Sequence, residues 1–345
     1  MRTAGRTLSV PNGIRTISLL IYFAAVLLFL FVSIRTWVYV YDEGFALLNG
    51  ERVLRGEIPY RDFWTVYPPG QSYALAAVWG LFGSTLAVAR TYDTLVRFML
   101  VVGVYLVGRR IANTSIALLA AALVALWLGT IMFYAYAIFP ALALALFALV
   151  CLIEYAATGR LRWLAIGGVL TGATALFRAD IAVYLGISVV LAWVSSSLHS
   201  SSQRSTALRA GAAFLGCAAA VAVPFYLYLF FAGGAEQVWQ ALVVFPLTTF
   251  RDVRRLPYPQ LMPNFALFFQ NPRQYVYWAQ FYLPLLIAAV SALITGSTLL
   301  KIRNAADHKL TGGIAVTVLG GLVFAQALSR YDWIHALPAA IGAVL

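Results

Sequence analysis

An acidic pair follows the first long apolar run of the sequence, and arginines follow several later runs. Asp42 and Glu43 form the pair, close to where the run that begins near residue 17 ends. A carboxylate in such a place can deprotonate an attacking hydroxyl group. Arginine can bind a phosphate leaving group through charge-assisted, often bidentate hydrogen bonds. The candidates for phosphate or substrate binding are Arg178, Asp180, Arg330, Asp332, His335, Tyr60, Arg61, Arg251, Arg254 and Arg255.

Each candidate also has a structural interpretation, and both interpretations stay open at this point. Asp42 could cap a short helix, and Glu43 could interact with the positive end of that helix. Ion pairs could explain Arg178 with Asp180, and Asp332 with His335. The three arginines at 251–255 could simply contact lipid headgroups.

One further charged group lies inside an apolar run. Arg90, Asp93 and Arg97 are spaced i, i+3, i+7, so they share one face of a helix. Charges inside a membrane span are costly unless they pair or face a cavity. We therefore favour a structural ion pair over a catalytic role for this group.

Composition identifies an integral membrane protein. Of the 345 residues, 62% are hydrophobic and only 10% are charged, with a mean hydropathy of +0.85. Two cysteines, Cys151 and Cys217, lie in apolar stretches and are predicted to be core residues. The net charge of +12 comes from scattered basic residues, which indicates contact with anionic lipid rather than nucleic acid. The predicted spans are 17–39, 85–107, 114–131, 134–155, 161–177, 181–198, 208–231, 280–300 and 311–328.

The distribution of charge predicts the orientation. With the N-terminus inside, every short inner link is basic, as the positive-inside rule requires. Of the twelve acids, nine then lie outside, Asp93 lies within a span, and Glu154 and Asp307 lie towards the inner side. The longer outer segments are 40–84, with a predicted helix over 42–55 and an interfacial segment over 71–82, and 232–279. A tenth apolar segment begins near Trp333; with 13 residues to Leu345 it is too short to cross, so either the chain is truncated or the segment dips into the bilayer.

The opening of the first outer segment resembles a known superfamily. Asp42 and Glu43, then "GEIPYRDFWTVYPPGQSY" and "LFGSTLAVART", are similar to the GT-C membrane glycosyltransferases, which include bacterial aminoarabinose transferases and protein O-mannosyltransferases. "FRAD" at 177–180 and "SRYDWIH" at 329–335 look similar to polar corners of bacterial members.

The resemblance implies a general base at Asp42, supported by Glu43. It implies a polyprenyl-phosphate sugar donor, a glycan, lipid or protein acceptor, and inversion at the anomeric carbon. Some members have a metal near the acid, so a divalent metal is possible, although no metal ligand is assigned.

We therefore predict an all-α polytopic membrane protein, a GT-C-like bundle of about 9–10 transmembrane helices with interfacial helices in the first outer loop. Residues 1–345 form one domain in the cytoplasmic (inner) membrane, with the active site facing outside. Two alternatives are a transporter or flippase of lipid-linked sugars and a non-catalytic scaffold. A transporter would place its polar groups near the midplane and repeat its helices, whereas these charges gather at one surface.

Overall fold

The computed structural model describes residues 12–35, 37–38, 40–131, 133–197, 204–249, 259–261, 266, 269–301, 308–329 and 341. Within these ranges the named regular elements are all helical. The helices are α1 (Asn12–Val32), α2 (Asp42–Leu54), α3 (Gly70–Phe82), α4 (Leu86–Ile111), α5 (Thr114–Thr130), α6 (Ile138–Thr158), α7 (Leu161–Phe177), α8 (Ala179–Ser197), α9 (Arg204–Gly233), α10 (Ala235–Trp239), α11 (Phe245–Leu247), α12 (Pro272–Lys301) and α13 (His308–Ser329), with a π-helical turn (Gln240–Val244) between α10 and α11.

The nine predicted spans each coincide with a helix. Four helical segments in the described ranges are long and apolar enough to cross a bilayer: Gly13–Val32, Ile138–Thr158, Leu208–Gly233 and Pro272–Thr298. Four further apolar helices are shorter, and α4 is long but carries charges. The tenth segment near Trp333 lies almost entirely outside the described residues. The prediction placed the end of the first span seven residues too late, because α1 ends at Val32 and an irregular link leads to α2.

Helix α6 is the centre of the bundle. Helices α4, α7, α8 and α13 pack directly against it, and α5 packs on α4. The side chains of Ile138, Phe139, Leu149 and Ile153 are each 1% exposed. By contrast, only 11% of the residues in the most apolar stretches of α1, α9 and α12 are buried, which suits helices that face lipid acyl chains.

The first outer segment folds into the predicted pair of short helices. Gly56, at φ +87°, follows the last turn of α2, where a left-handed residue commonly ends a helix. A Cβ atom at Gly50 would lie 2.9 Å from Leu75 Cδ2, so α2 and α3 approach closely there. Asp42 does not cap α2: Tyr41 occupies the cap position without a side-chain hydrogen bond, and Asp42 is the first helical residue.

The ends of distant helices converge on one side of the bundle. A Cβ atom at Gly70 would lie 2.3 Å from the carbonyl oxygen of Leu176, so the start of α3 touches the last turn of α7. A Cβ atom at Gly233 would lie 2.7 Å from the carbonyl oxygen of Pro59, so the end of α9 touches the same outer segment. This side also carries the acidic pair.

Candidate functional site

Asp42 is an exposed carboxylate at the start of α2. Among the described residues it has no hydrogen bond from a side chain and no ion pair. Its neighbour Glu43 pairs with Arg90 of α4, so Asp42 lies close to the N-terminal end of that helix and remains accessible to water.

Glu43, the next residue, has the opposite environment. It is 2% exposed, and its carboxylate accepts two hydrogen bonds from Arg90, 2.8 Å from Nε to Oε1 and 2.9 Å from Nη2 to Oε2. Arg90 also donates to the carbonyl oxygens of Arg35 and Trp37, the latter at 2.9 Å. This single guanidinium thus joins the α1–α2 link, the first turn of α2 and the first turn of α4, and it fixes the backbone that carries Asp42.

A second buried ion pair lies two turns further along α4. Arg97 is fully buried and its Nε donates to Asp93 Oδ2 at 2.8 Å. Its Nη1 donates to the carbonyl oxygens of Leu128 at 2.6 Å and Ile131 at 3.2 Å, which lie at the end of α5. The guanidinium also lies 4.2 Å from the ring centroid of Phe133. The predicted structural pair within α4 is therefore present as Asp93–Arg97, whereas Arg90 pairs with another helix.

Arg178 and Asp180 form an ion pair at the corner between α7 and α8. Nε and Nη2 of Arg178 donate to the two carboxylate oxygens of Asp180 at 3.0 and 2.7 Å. The guanidinium lies 4.2 Å from the ring centroid of Tyr67, in the first outer segment. Nη1 of Arg178 has no hydrogen-bond partner among the described residues. The pair is structural in its geometry, and phosphate binding by Arg178 stays a prediction.

Tyr60 and Arg61 are neighbours with different environments. Tyr60 is buried, its hydroxyl donates to the carbonyl oxygen of Tyr67 at 2.9 Å, and its φ is +72°. Arg61 is exposed and donates to both carboxylate oxygens of Asp62 at 3.0 and 2.9 Å. These bonds from Arg61, with a backbone bond from Ile58, lower the pKa of Asp62 to about 2. Tyr60 thus belongs to the packed outer segment, while Arg61 and Asp62 form an exposed pair.

The remaining predicted site residues cannot be placed. Six of them lie outside the described residues: Arg251, Arg254, Arg255, Arg330, Asp332 and His335. The described part brings Asp42 and Glu43 to the N-terminal end of α4, and it brings Arg178 against Tyr67. Sequence reasoning missed the connection between Glu43 and Arg90, although an unexplained charge within the apolar run at 85–107 was a signal that a partner was needed.

The described residues do not form a recognisable metal site. Within these ranges no three His, Cys, Asp or Glu side chains come together as a metal ion would require. Glu43, the residue next to Asp42, forms an ion pair with Arg90.

Comparison with known proteins connects this geometry to a class. A family model described as dolichyl-phosphate-mannose-protein mannosyltransferase matches residues 66–228, just under half of the chain. The crystal structure of ArnT from Cupriavidus metallidurans bound to undecaprenyl phosphate is similar, with a TM-score of 0.59, 16% identity, and coverage of 95% of this chain and 58% of that chain. An apo oligosaccharyltransferase of Archaeoglobus fulgidus gives a TM-score of 0.58, 15% identity, and coverage of 94% and 49%. No protein with a curated description matches.

These likenesses confirm the resemblance to the GT-C superfamily of membrane glycosyltransferases. The chain has the helical fold of that superfamily and is a multi-pass membrane protein. At these identities the two solved structures show the fold alone. The chain spans about half the length of each of them.

Proposed function

We propose that the chain transfers a sugar from a polyprenyl-phosphate carrier to a hydroxyl acceptor, with Asp42 as the general base. The contrast between two adjacent acids carries the proposal. Glu43 is buried and neutralised by Arg90, whereas Asp42 is exposed and has no ion-pair partner among the described residues. The first acid is thus available for proton transfer, and the second holds the first in place. The ArnT structure with a similar fold contains undecaprenyl phosphate, which supports the class of donor.

The proposed reaction is one displacement at the anomeric carbon. The acceptor hydroxyl oxygen forms the new bond to that carbon, and the Asp42 carboxylate takes the hydroxyl proton. The bond between the anomeric carbon and the phosphate oxygen breaks, and its electron pair leaves with the polyprenyl phosphate. A single displacement of this kind inverts the anomeric configuration.

We assign Arg178 to the phosphate of the carrier. Asp180 and the ring of Tyr67 fix the guanidinium, and Nη1, which has no hydrogen-bond partner among the described residues, can donate to a phosphate oxygen. A pre-positioned arginine stabilises the charge that develops on the leaving group. Roles in substrate binding are also proposed for the site residues outside the described ranges, namely Arg251, Arg254, Arg255, Arg330, Asp332 and His335.

The proposal also includes the side of the membrane on which transfer takes place and the class of acceptor. Because the short links on the opposite side are basic, the positive-inside rule places the Asp42 side outside the cytoplasm, on the outer surface of the inner membrane. There a lipid-linked donor can meet a glycan, lipid or protein acceptor.

The test is sugar release from a panel of polyprenyl-phosphate sugars by the purified protein in lipid nanodiscs. Asp42→Asn removes the base and keeps the shape of the side chain. We expect this variant to lose about a hundredfold to ten-thousandfold of the turnover of the preferred donor. Glu51→Gln is the matched control, because Glu51 is an exposed acid on the same helix that pairs with Arg55. It should keep full activity.

Two results would contradict the proposal. Equal turnover by Asp42→Asn and the wild-type protein would remove Asp42 as the base and leave the transferase. Movement of lipid-linked sugars across vesicle membranes, with no sugar release from any donor, would show that the protein is a transporter and not a transferase.

A further inference from the structure

A cavity of about 520 Å³ lies beside the first outer segment, between residues 60–64 and the region from α10 to just beyond α11. This volume is within the range of pockets that bind small molecules. Its two walls touch, because the rings of Trp64 and Phe245 meet edge to face at 5.1 Å. Tyr60 and Ala241 line the cavity and pack with Val238 in one apolar cluster. None of the residues that define the Asp42 environment lines it.

The backbone is irregular on both sides of this cavity. Tyr60 is the one described non-glycine residue with a positive φ, at +72°. Opposite it, the helix widens into a π-helical turn over Gln240–Val244, and Gln240, Ala241 and Val244 all line the cavity. Strained residues and π-helical turns are both concentrated at functional sites. Their coincidence around one cavity indicates a binding site.

The lining chemistry suits a carbohydrate. Glu236, Gln237 and Gln240 supply a carboxylate and two amides, which together donate and accept hydrogen bonds as sugar hydroxyls require. Trp64, 54% exposed, supplies an aromatic surface for the apolar face of a sugar ring.

The charge of the described lining favours a sugar without acidic groups. Among the described residues that line the cavity, Glu236 is the single charged one. An anionic group would meet the like charge of Glu236 at this wall, whereas a neutral or amino sugar would meet complementary groups.

We infer that this cavity binds a sugar unit of the acceptor other than the one that carries the reacting hydroxyl, and that this unit has no acidic group. The inference depends on the proposed function, which supplies the reaction, and it narrows the acceptor from any hydroxyl compound to a glycan. The donor enters at the Arg178 side, and the non-reacting sugar unit of the acceptor is held between Trp64 and Gln240.

The test is saturation-transfer NMR on the full chain in nanodiscs. The probes are methyl glycosides of neutral and amino hexoses and the corresponding disaccharides, at millimolar concentrations, with inorganic phosphate as the anionic probe. Trp64→Ala should weaken binding of the best probe by about tenfold or more, because it removes the aromatic surface. Trp239→Ala is the matched control. Trp239 is the last residue of α10 and is 52% exposed, but it does not line the cavity. It should bind as the wild-type protein does.

Further variants separate this inference from the proposed function. Asp42→Asn should bind the probe normally even though transfer is lost. Glu236→Gln should weaken the binding of amino sugars more than the binding of neutral sugars. Absence of binding by every probe, competition by inorganic phosphate, or equal losses in Trp64→Ala and Trp239→Ala would overturn the carbohydrate site. Any of these results would leave the Asp42 assay, and therefore the proposed function, intact.

Discussion

Ion-paired side chains differ in exposure between the two ends of the helix bundle. At the Asp42 end, the side chains of Arg90 and Glu43 are 7% and 3% exposed, those of Arg97 and Asp93 are 0% and 2%, and that of Arg178 is 6%. At the other end, Arg110 and Glu154 form an ion pair at 2.7 Å with both side chains 26% exposed. The two ion pairs made by α4 near Asp42 are therefore dry, whereas Asp180, with its side chain 37% exposed, and the Arg110–Glu154 pair are partly hydrated.

This difference shows what the buried pairs do. Burying an ion pair costs desolvation that its attraction does not reliably repay, so such a pair is weak evidence for stability. The buried arginines, however, also hold backbone: Arg90 binds the carbonyl oxygens of Arg35 and Trp37, and Arg97 binds those of Leu128 and Ile131. These segments frame Asp42. We therefore interpret the buried pairs Arg90–Glu43 and Arg97–Asp93 as contacts that position the site. Arg110–Glu154 is an ordinary peripheral ion pair.

Breaking the driest pair should have the largest effect on stability. Arg97→Met would leave Asp93 buried without its cation and would free two carbonyl oxygens at the end of α5. We expect a loss of about 3–5 kcal/mol, measured by thermal unfolding in detergent. The double variant Asp93→Asn with Arg97→Met should recover a large part of this loss, because no buried charge remains. A double variant as unstable as the single one would show that the carbonyl contacts, not the charge, dominate.

Removing the charge of Glu43 should have a smaller effect. In Glu43→Gln, Arg90 keeps the carbonyl oxygens of Arg35 and Trp37 as acceptors, so we expect a loss of roughly 1.5–3 kcal/mol. Sugar transfer should fall as well, because the first turn of α2 is less firmly held. The pH profile separates this positioning role from a catalytic one: Glu43→Gln should lower the rate without changing the shape of the profile. A shifted profile would make Glu43 a participant in proton transfer.

The sequence predicted the helices well because the signal is local. Runs of apolar residues at 161–177 and 114–131 become α7 and α5 within one residue, since length and hydropathy decide a span. The location of Asp42 and Glu43 follows from the same signal. Arg90 is different, because its partner Glu43 is 47 residues earlier in the chain. Helical spacing suggested Asp93, and no local pattern encodes a contact between two helices.

The cavity could not be predicted from the sequence, because its walls come from segments that are distant in the chain. Its walls come from 60–64 and from 236–249, and they meet because Gly233 lets α9 approach Pro59. The π-helical turn that brings Gln240 into the wall has no sequence signature that we could use. Tyr60 was predicted as a site residue, but its partners across the cavity were not.

The contact between α3 and α7 offers a steric test at the Asp42 end. In Gly70→Ala the new Cβ atom would lie 2.3 Å from the carbonyl oxygen of Leu176, so the two helices must separate. We expect a loss of about 1–3 kcal/mol in thermal unfolding. Gly80→Ala, in the same helix, is the control: its Cβ atom would meet Leu54 Cδ1 at 3.7 Å, an ordinary contact. That variant should be unchanged or more stable, because alanine favours a helix by up to about 1 kcal/mol over glycine.

The peripheral pair should give the smallest effect and sharpen the contrast between the two ends. In Glu154→Gln, Arg110 loses an ion pair but stays in contact with water, and its Nη1 still donates to the carbonyl oxygen of Leu106 at 3.0 Å. We expect a loss of about 0–1 kcal/mol in thermal unfolding, which shrinks further when salt is added. Sugar transfer should be unchanged, because the pair lies at the end of α4 opposite Asp42. A loss equal to that of Arg97→Met would refute the distinction between the ends, since exposure would then not decide what an ion pair contributes.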